Sequence, residues 1–166
     1  MPEKLICPVT EVAPLLPHSG HMVLLDAITA YDAESLQAEA TVRPDHILLH
    51  NGSLPALAAI EIMAQGVAAL AGCLAYNAGE PVRLGFLLGT RKLNLFADVL
   101  PVGIKLGINV RASLQDANGF GVFDCELLWL DVPPEWVSRL PENRILVQAA
   151  LNVYSPKDDR PQQSTT

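Results

Sequence analysis

The sequence predicts an α+β fold in which one long, apolar helix is wrapped by a curved antiparallel sheet. Three observations predict it. The stretch from Ser53 to Asn77 is apolar or small at every position between Pro55 and Tyr76 except Glu61 and Gln65. A pair of extended segments precedes that stretch, and four more follow it with only turns between them. Strands that lack helical crossovers must pair antiparallel, so the long helix has one sheet to pack on.

Taken in order, Val9 to Leu16 reads as a short helix that Pro17 ends. The turn formers His18-Ser19-Gly20-His21 follow, with His18 and His21 serving the turn or its surface. Met22 to Tyr31 then reads as a largely buried strand, and Ser35 to Val42 alternates polar and apolar residues with the period of two expected of a strand with one wet face. These two should form a hairpin across Asp32-Ala33-Glu34. Arg43 to Gly52 is a loop that carries His46 and His50 and delivers the chain to the helix.

Ser53 has the chemistry of an N-cap, Pro55 suits the first turn, where its missing N–H leaves no bond unmade, and Asn77-Ala78-Gly79 is a stop signal. A helix apolar on all faces lies within a protein or a bilayer. The run approaches the ~20 residues of a membrane span, but interior Glu61 and early Pro55 weaken that reading. Glu61 is therefore the anomaly: a buried carboxylate is costly unless it meets a partner or keeps its proton. A structural Arg partner, an outlook through a gap in the sheet and a pocket for acid–base work are the alternatives, the last being the functional one. Gln65 follows at i+4, on the same face. One curved sheet cannot cover every side of such a helix, and dimerisation supplies the rest.

Beyond the helix, Val82 to Phe96 reads as a strand with glycine irregularities near Gly89, and Pro101-Val102-Gly103 as a turn. Ile104 to Leu114 and Phe120 to Leu130 are long strands joined through Asn118-Gly119, a strong hairpin signal. Asp131 to Arg144, with Pro133, Pro134 and Pro141, is an excursion with room for a helical turn, and Ile145 to Tyr154 is the last strand. Residues 1–155 read as one domain and 156–166 as a disordered polar tail.

Composition sets limits. A chain of 166 residues, half of them hydrophobic and 17% charged, can bury a real core. Its formal net charge of −7 argues against a nucleic-acid partner, which needs a basic surface. Cys7, Cys73 and Cys125 are odd in number and lack CxxC spacing, so neither a disulfide framework nor a zinc site is indicated and no metal is expected. The N-terminus has no signal-peptide pattern, so a cytoplasmic location is expected, with no membrane partner. No serine lies in a Gly-x-Ser-x-Gly context.

Several passages resemble one family. Leu15-Leu16-Pro17-His18 followed by Met22-Val23-Leu24-Leu25-Asp26 is similar to the amino-terminal signature of hotdog-fold 3-hydroxyacyl-[acyl-carrier-protein] dehydratases. Leu54-Pro55-Ala56 through Ile60-Glu61-Ile62-Met63-Ala64-Gln65 resembles their central helix. Gly85-Phe86-Leu87-Leu88-Gly89-Thr90-Arg91-Lys92 and Asn118-Gly119-Phe120-Gly121-Val122-Phe123 are closer to a branch associated with aryl polyene biosynthesis. The resemblance implies a catalytic pair, a loop histidine that removes the α-proton and a helix carboxylic acid that protonates the departing β-hydroxyl. Glu61 matches the acid; His46 matches the base, with His50 as fallback. The chain departs from the family where Ile47-Leu48 follows His46 and where Ala56 replaces a glycine. Ala56, Gln65 and Gly89 are the expected substrate-binding positions. Also implied are a phosphopantetheine thioester on acyl carrier protein as partner, and a homodimer or a heterodimer with another hotdog subunit.

Dehydrating a β-hydroxyacyl thioester needs a base at the α-carbon and an acid at the β-oxygen, and no cofactor. Backbone N–H groups at the helix start, that of Ala56 included, are candidates to polarise the thioester carbonyl. Arg91 and Lys92 are candidates to meet the acidic carrier. Two alternatives stand beside this reading: a hotdog thioesterase, whose carboxylate activates water, and a non-catalytic partner subunit of a hotdog dehydratase.

Overall fold

The computed structural model describes residues 3–156. Eight strands and one α-helix follow in chain order: β1 (Ala27–Tyr31), β2 (Ser35–Thr41), β3 (Ser53–Pro55), α1 (Ala59–Asn77), β4 (Phe86–Leu95), β5 (Val99–Pro101), β6 (Lys105–Gln115), β7 (Phe120–Asp131) and β8 (Ile145–Tyr154). Six of them form one sheet in the order β1-β2-β6-β7-β8-β4, and β3 pairs with β5 in a separate ribbon. Every pairing is antiparallel, as the absence of helical crossovers requires. The helix packs on one face of the sheet, against β2, β6, β7 and β8.

The alternation seen in the sequence decides which face is which. Leu106, Ile108 and Val110 of β6 are buried while Lys105 and Arg111 are exposed, and on β7 Phe123, Cys125 and Leu127 are buried while Asp124 is exposed. Ile62, Met63 and Leu70 of α1 meet that apolar face. In the hairpin between β6 and β7, Asp116 accepts the N–H groups of Asn118 and Phe120, and Gly119 takes the left-handed φ of 97° that the turn demands.

Three expectations are corrected. Ser53 is not the N-cap: Asn51 and Gly52, at φ 51° and 80°, make a tight turn, and His50 and Ser53 exchange backbone hydrogen bonds across it. Ser53 therefore opens β3, paired with Val99–Pro101, and a 3₁₀ turn, Ala56–Ala58, leads into α1 with no side-chain cap. The amino-terminal helix shrinks to a 3₁₀ turn at Ala13–Leu15, because Val9 is bridged to Ile28 instead. The first strand starts at Ala27, five residues late, since Met22 and Leu24 are bound by the side chain of Gln65 rather than by a neighbouring strand. The expected irregularity near Gly89 is present as a register shift between Leu87 and Gly89. The tail expected over 156–166 lies, from residue 157 on, outside the described residues.

The two sheet edges differ. Val9 covers the outer side of β1 through two backbone bonds with Ile28, each 2.9 Å. β4 has β8 on one side and no strand on the other among the described residues. That edge strand exposes Phe86, Leu87, Leu88 and Leu95, with Phe96 just beyond it.

Candidate active site

The helix presents two faces. Ala59, Ile62, Met63, Gly66, Leu70 and Cys73 are buried against the sheet. Leu57, Glu61, Ala64, Ala68 and Ala71, spaced by four and three residues, fall on the opposite side, where Leu57 is 56% exposed and Glu61 and Ala71 are exposed. The expectation that Glu61 is buried is thus corrected for the single chain: among the described residues none covers Leu57, Glu61 or Ala71, while Ala64 and Ala68 are half-buried. Glu61 is the sole charged residue of this outer stripe, as it is of the whole helix.

Gln65 is buried at 3% exposure and its amide is engaged on both sides. Its Oε1 accepts the Leu24 N–H at 2.8 Å, and its Nε2 donates to the Met22 carbonyl at 2.5 Å. This amide straps the Met22–Leu24 segment to the helix. The Ala56 N–H donates to the Asp98 carbonyl at 2.9 Å, so it is not the free donor the sequence reading called for. Gly89 lies half-buried on β4, opposite Asn152 of β8. Arg91 and Lys92 are exposed on the same strand.

His46 is half-buried in a loop closed by two successive turns: its N–H donates to the Arg43 carbonyl (3.0 Å) and its carbonyl accepts from the Leu49 N–H (3.2 Å). Its Nδ1 accepts the Leu48 N–H at 3.1 Å. The ring borders a cleft of about 110 Å³ shared with His21, Asp26, Thr41, Arg43 and Asp45, and no residue of α1 lines it. Within one chain, then, Glu61 does not line the cleft that His46 borders. Burial holds the His46 pKa below its ordinary value, with the Asp45 and Asp26 carboxylates pulling weakly the other way. His50 is exposed, beside the Asn51-Gly52 turn.

Asp26 is the residue to which sequence reasoning gave no role. Its Oδ2 accepts the Thr41 N–H at 2.6 Å, and its Oδ1 accepts from Arg43 Nη2 at 2.8 Å. It therefore fixes the point where the sheet hands the chain to the histidine loop. The signal was available: a lone carboxylate closing the apolar run Met22 to Leu25. Among the described residues no group of three or more His, Cys, Asp or Glu side chains converges as a metal site would require.

A family model described as ApeP-like, ApeP dehydratase, matches residues 10–165. Among solved structures, a chain of the dehydratase heterocomplex ApeI:P from Xenorhabdus doucetiae is 29% identical, with 93% of this chain and 94% of that chain covered and a TM-score of 0.76. A hypothetical thioesterase with coenzyme A from Streptococcus pneumoniae TIGR4 is similar at 13% identity, covering 77% of this chain and 83% of that one, with a TM-score of 0.54. The PaaI protein of E. coli, from the phenylacetic acid degradation operon, is similar at 11% identity, covering 76% and 80%, with a TM-score of 0.51. At such identities the last two speak for the fold, which is the hotdog fold expected from the sequence. No curated protein sequence matches the chain.

Proposed function

Because the chain belongs to the ApeP-like dehydratase family, we propose that it removes water from a 3-hydroxyacyl thioester on acyl carrier protein, in aryl polyene biosynthesis, as one half of a hotdog pair with Glu61 as the acid. One observation carries this reading. Glu61 is the single charge on an outer helix face that is otherwise Leu and Ala, and it is exposed in the isolated chain together with Leu57 and Ala71. A carboxyl that must donate a proton near neutral pH needs a desolvated site, which raises its pKa and keeps the proton in place. A second hotdog subunit laid over this face would supply that desolvation.

The bare edge of β4, with its exposed Phe86, Leu87 and Leu88, favours such a subunit, since an uncovered apolar edge invites pairing. The similar Xenorhabdus doucetiae protein is a dehydratase heterocomplex, which favours a partner that is a different hotdog chain over a second copy. Arg91 and Lys92 on β4 offer cations to an acidic carrier on a chain that is itself acidic. The three free cysteines suit a reducing cytoplasm, where we place the protein.

The test is turnover of 3-hydroxyacyl thioesters, on acyl carrier protein and on coenzyme A, by the chain alone and with a second hotdog subunit of the same source. Enoyl absorbance that is larger for the carrier-bound substrate is the expected result. Release of free thiol without enoyl product would favour the thioesterase, and activity from the partner that persists without this chain would favour a purely structural role.

A further inference from the structure

We propose that the charged centre of β4 selects the partner: it turns away a second copy of this chain and admits a different hotdog subunit whose edge strand carries no cation on the facing rungs. That the edge pairs with a hotdog subunit at all rests on the reading above, whereas the exclusion of a second copy stands on β4 alone.

The strand is uneven along its ten residues. Its ends are apolar and open, with Phe86 47%, Leu88 56% and Leu95 45% exposed, and its middle holds Arg91 and Lys92. Successive residues of a regular strand point to opposite faces. Here the ladder to β8 gains one residue: Arg91 stands opposite Ala150 and Asn94 opposite Gln148, and within that step Lys92 takes a left-handed φ of 51°. Both cations thereby reach the face of the sheet that is turned away from α1. Ala150 also stands opposite the exposed Asp124 of β7, which puts Arg91 on that face, and Lys92 lines the polar cleft of about 530 Å³ that lies there. Asp124 is two strands away, about 10 Å at ordinary strand spacing. Among the described residues the ion pairs are Arg43–Asp26, Arg83–Glu80 and Lys105–Glu39, and none engages Arg91 or Lys92.

An open edge joins a second copy of itself antiparallel, about a two-fold axis normal to the sheet, so the outer faces of both copies stay on one side. When the whole of β4 pairs, Arg91 of one copy stands opposite Thr90 of the other and Lys92 opposite Gly89. Two Arg91 and two Lys92 then occupy neighbouring rungs of a single face, each within about 8 Å, one Debye length at physiological salt, of the next. Like charges so placed oppose the pairing. Sliding the copies until the two Arg91 residues lie about 20 Å apart leaves at most half of the strand paired and takes its apolar ends out of register. A subunit without cations on these rungs meets the same apolar ends free of that repulsion, and it leaves Arg91 and Lys92 to the carrier.

The chain alone supplies the test. Light scattering at low salt should give the wild type the mass of one copy, and the Arg91→Glu/Lys92→Glu variant the same, since its edge repels itself with carboxylates. An equimolar mixture of the two should double that mass, because each cationic edge then faces an acidic one, and added salt should reverse the doubling. Far-ultraviolet dichroism checks that the variant is folded, and Arg91→Glu alone replaces it if exchange at Lys92 disturbs the bulge. A wild type that is already paired with itself at low salt overturns the proposal, and so does a folded mixture that keeps the mass of one copy. If the wild type binds no second hotdog subunit in the same assay, the pair reading fails, while the mixture still decides whether the charges exclude a second copy.

Discussion

Gly72 of α1 lies so close to the backbone of Leu15 that a Cβ at position 72 would overlap the Leu15 carbonyl. The amino-terminal segment is thereby seated directly on the helix. Because the clash is with backbone and not with the far end of a flexible side chain, Gly72→Ala should cost about 1–3 kcal/mol. For a chain of this size that is a fall in melting temperature of roughly 2–4 °C per kcal/mol. A Gly72→Ala protein that melts with the wild type would contradict the close approach.

Gln65 joins the helix to Met22 and Leu24 through both ends of one buried amide. Gln65→Leu keeps the volume and leaves the Leu24 N–H and the Met22 carbonyl without partners. Each such orphan costs on the order of 1–3 kcal/mol. Chemical denaturation should therefore show a lower midpoint at an unchanged slope, and an unshifted midpoint would mean that water replaces the amide without loss.

His46 gives the fold a pH dependence whose sign is fixed. Its folded pKa lies below the 6.5 of a free histidine because burial disfavours the charged ring. The unfolded chain therefore binds the proton more readily. The contribution of the neutral ring is full above 6.5 and is lost as pH falls through 6.5 toward the folded value. Between about pH 7 and pH 5 the wild type should lose stability more steeply than His46→Gln, read as denaturation midpoints. Parallel curves would remove the burial effect.

The open edge of β4 makes assembly testable. Leu88, 56% exposed on that strand, should meet the partner subunit. Leu88→Glu puts a charge where an apolar contact is expected, so light scattering should give a smaller mass while far-ultraviolet dichroism stays that of the wild type. An unchanged mass would place the interface elsewhere.

Local patterns carried most of the sheet. β6, β7 and β8 start and stop within a residue of their expected limits, because period-two alternation and the Asn118-Gly119 turn are written in adjacent residues. The ribbon of β3 and β5 was not legible, since three-residue strands have no period and Ser53 finds its partner at Pro101. The site divides in the same way. His46 and Glu61 were legible as residue types in a loop and an apolar helix. What surrounds them was not: the Leu48 N–H on Nδ1 depends on loop geometry, the Asp98 carbonyl on Ala56 is a non-local bond, and the exposure of Glu61 depends on which face of α1 the sheet leaves open.

On the proposed reading, Glu61 is the acid of a dehydration carried out in a hotdog pair. Its most direct test is the rate of enoyl formation from a 3-hydroxyacyl-acyl carrier protein by the assembled pair, wild type against Glu61→Gln. The substitution is nearly isosteric, so assembly and melting temperature should be kept while the rate falls on the order of 10² or more, the range of a lost general acid. A correctly assembled Glu61→Gln pair that forms enoyl product at the wild-type rate would contradict the claim.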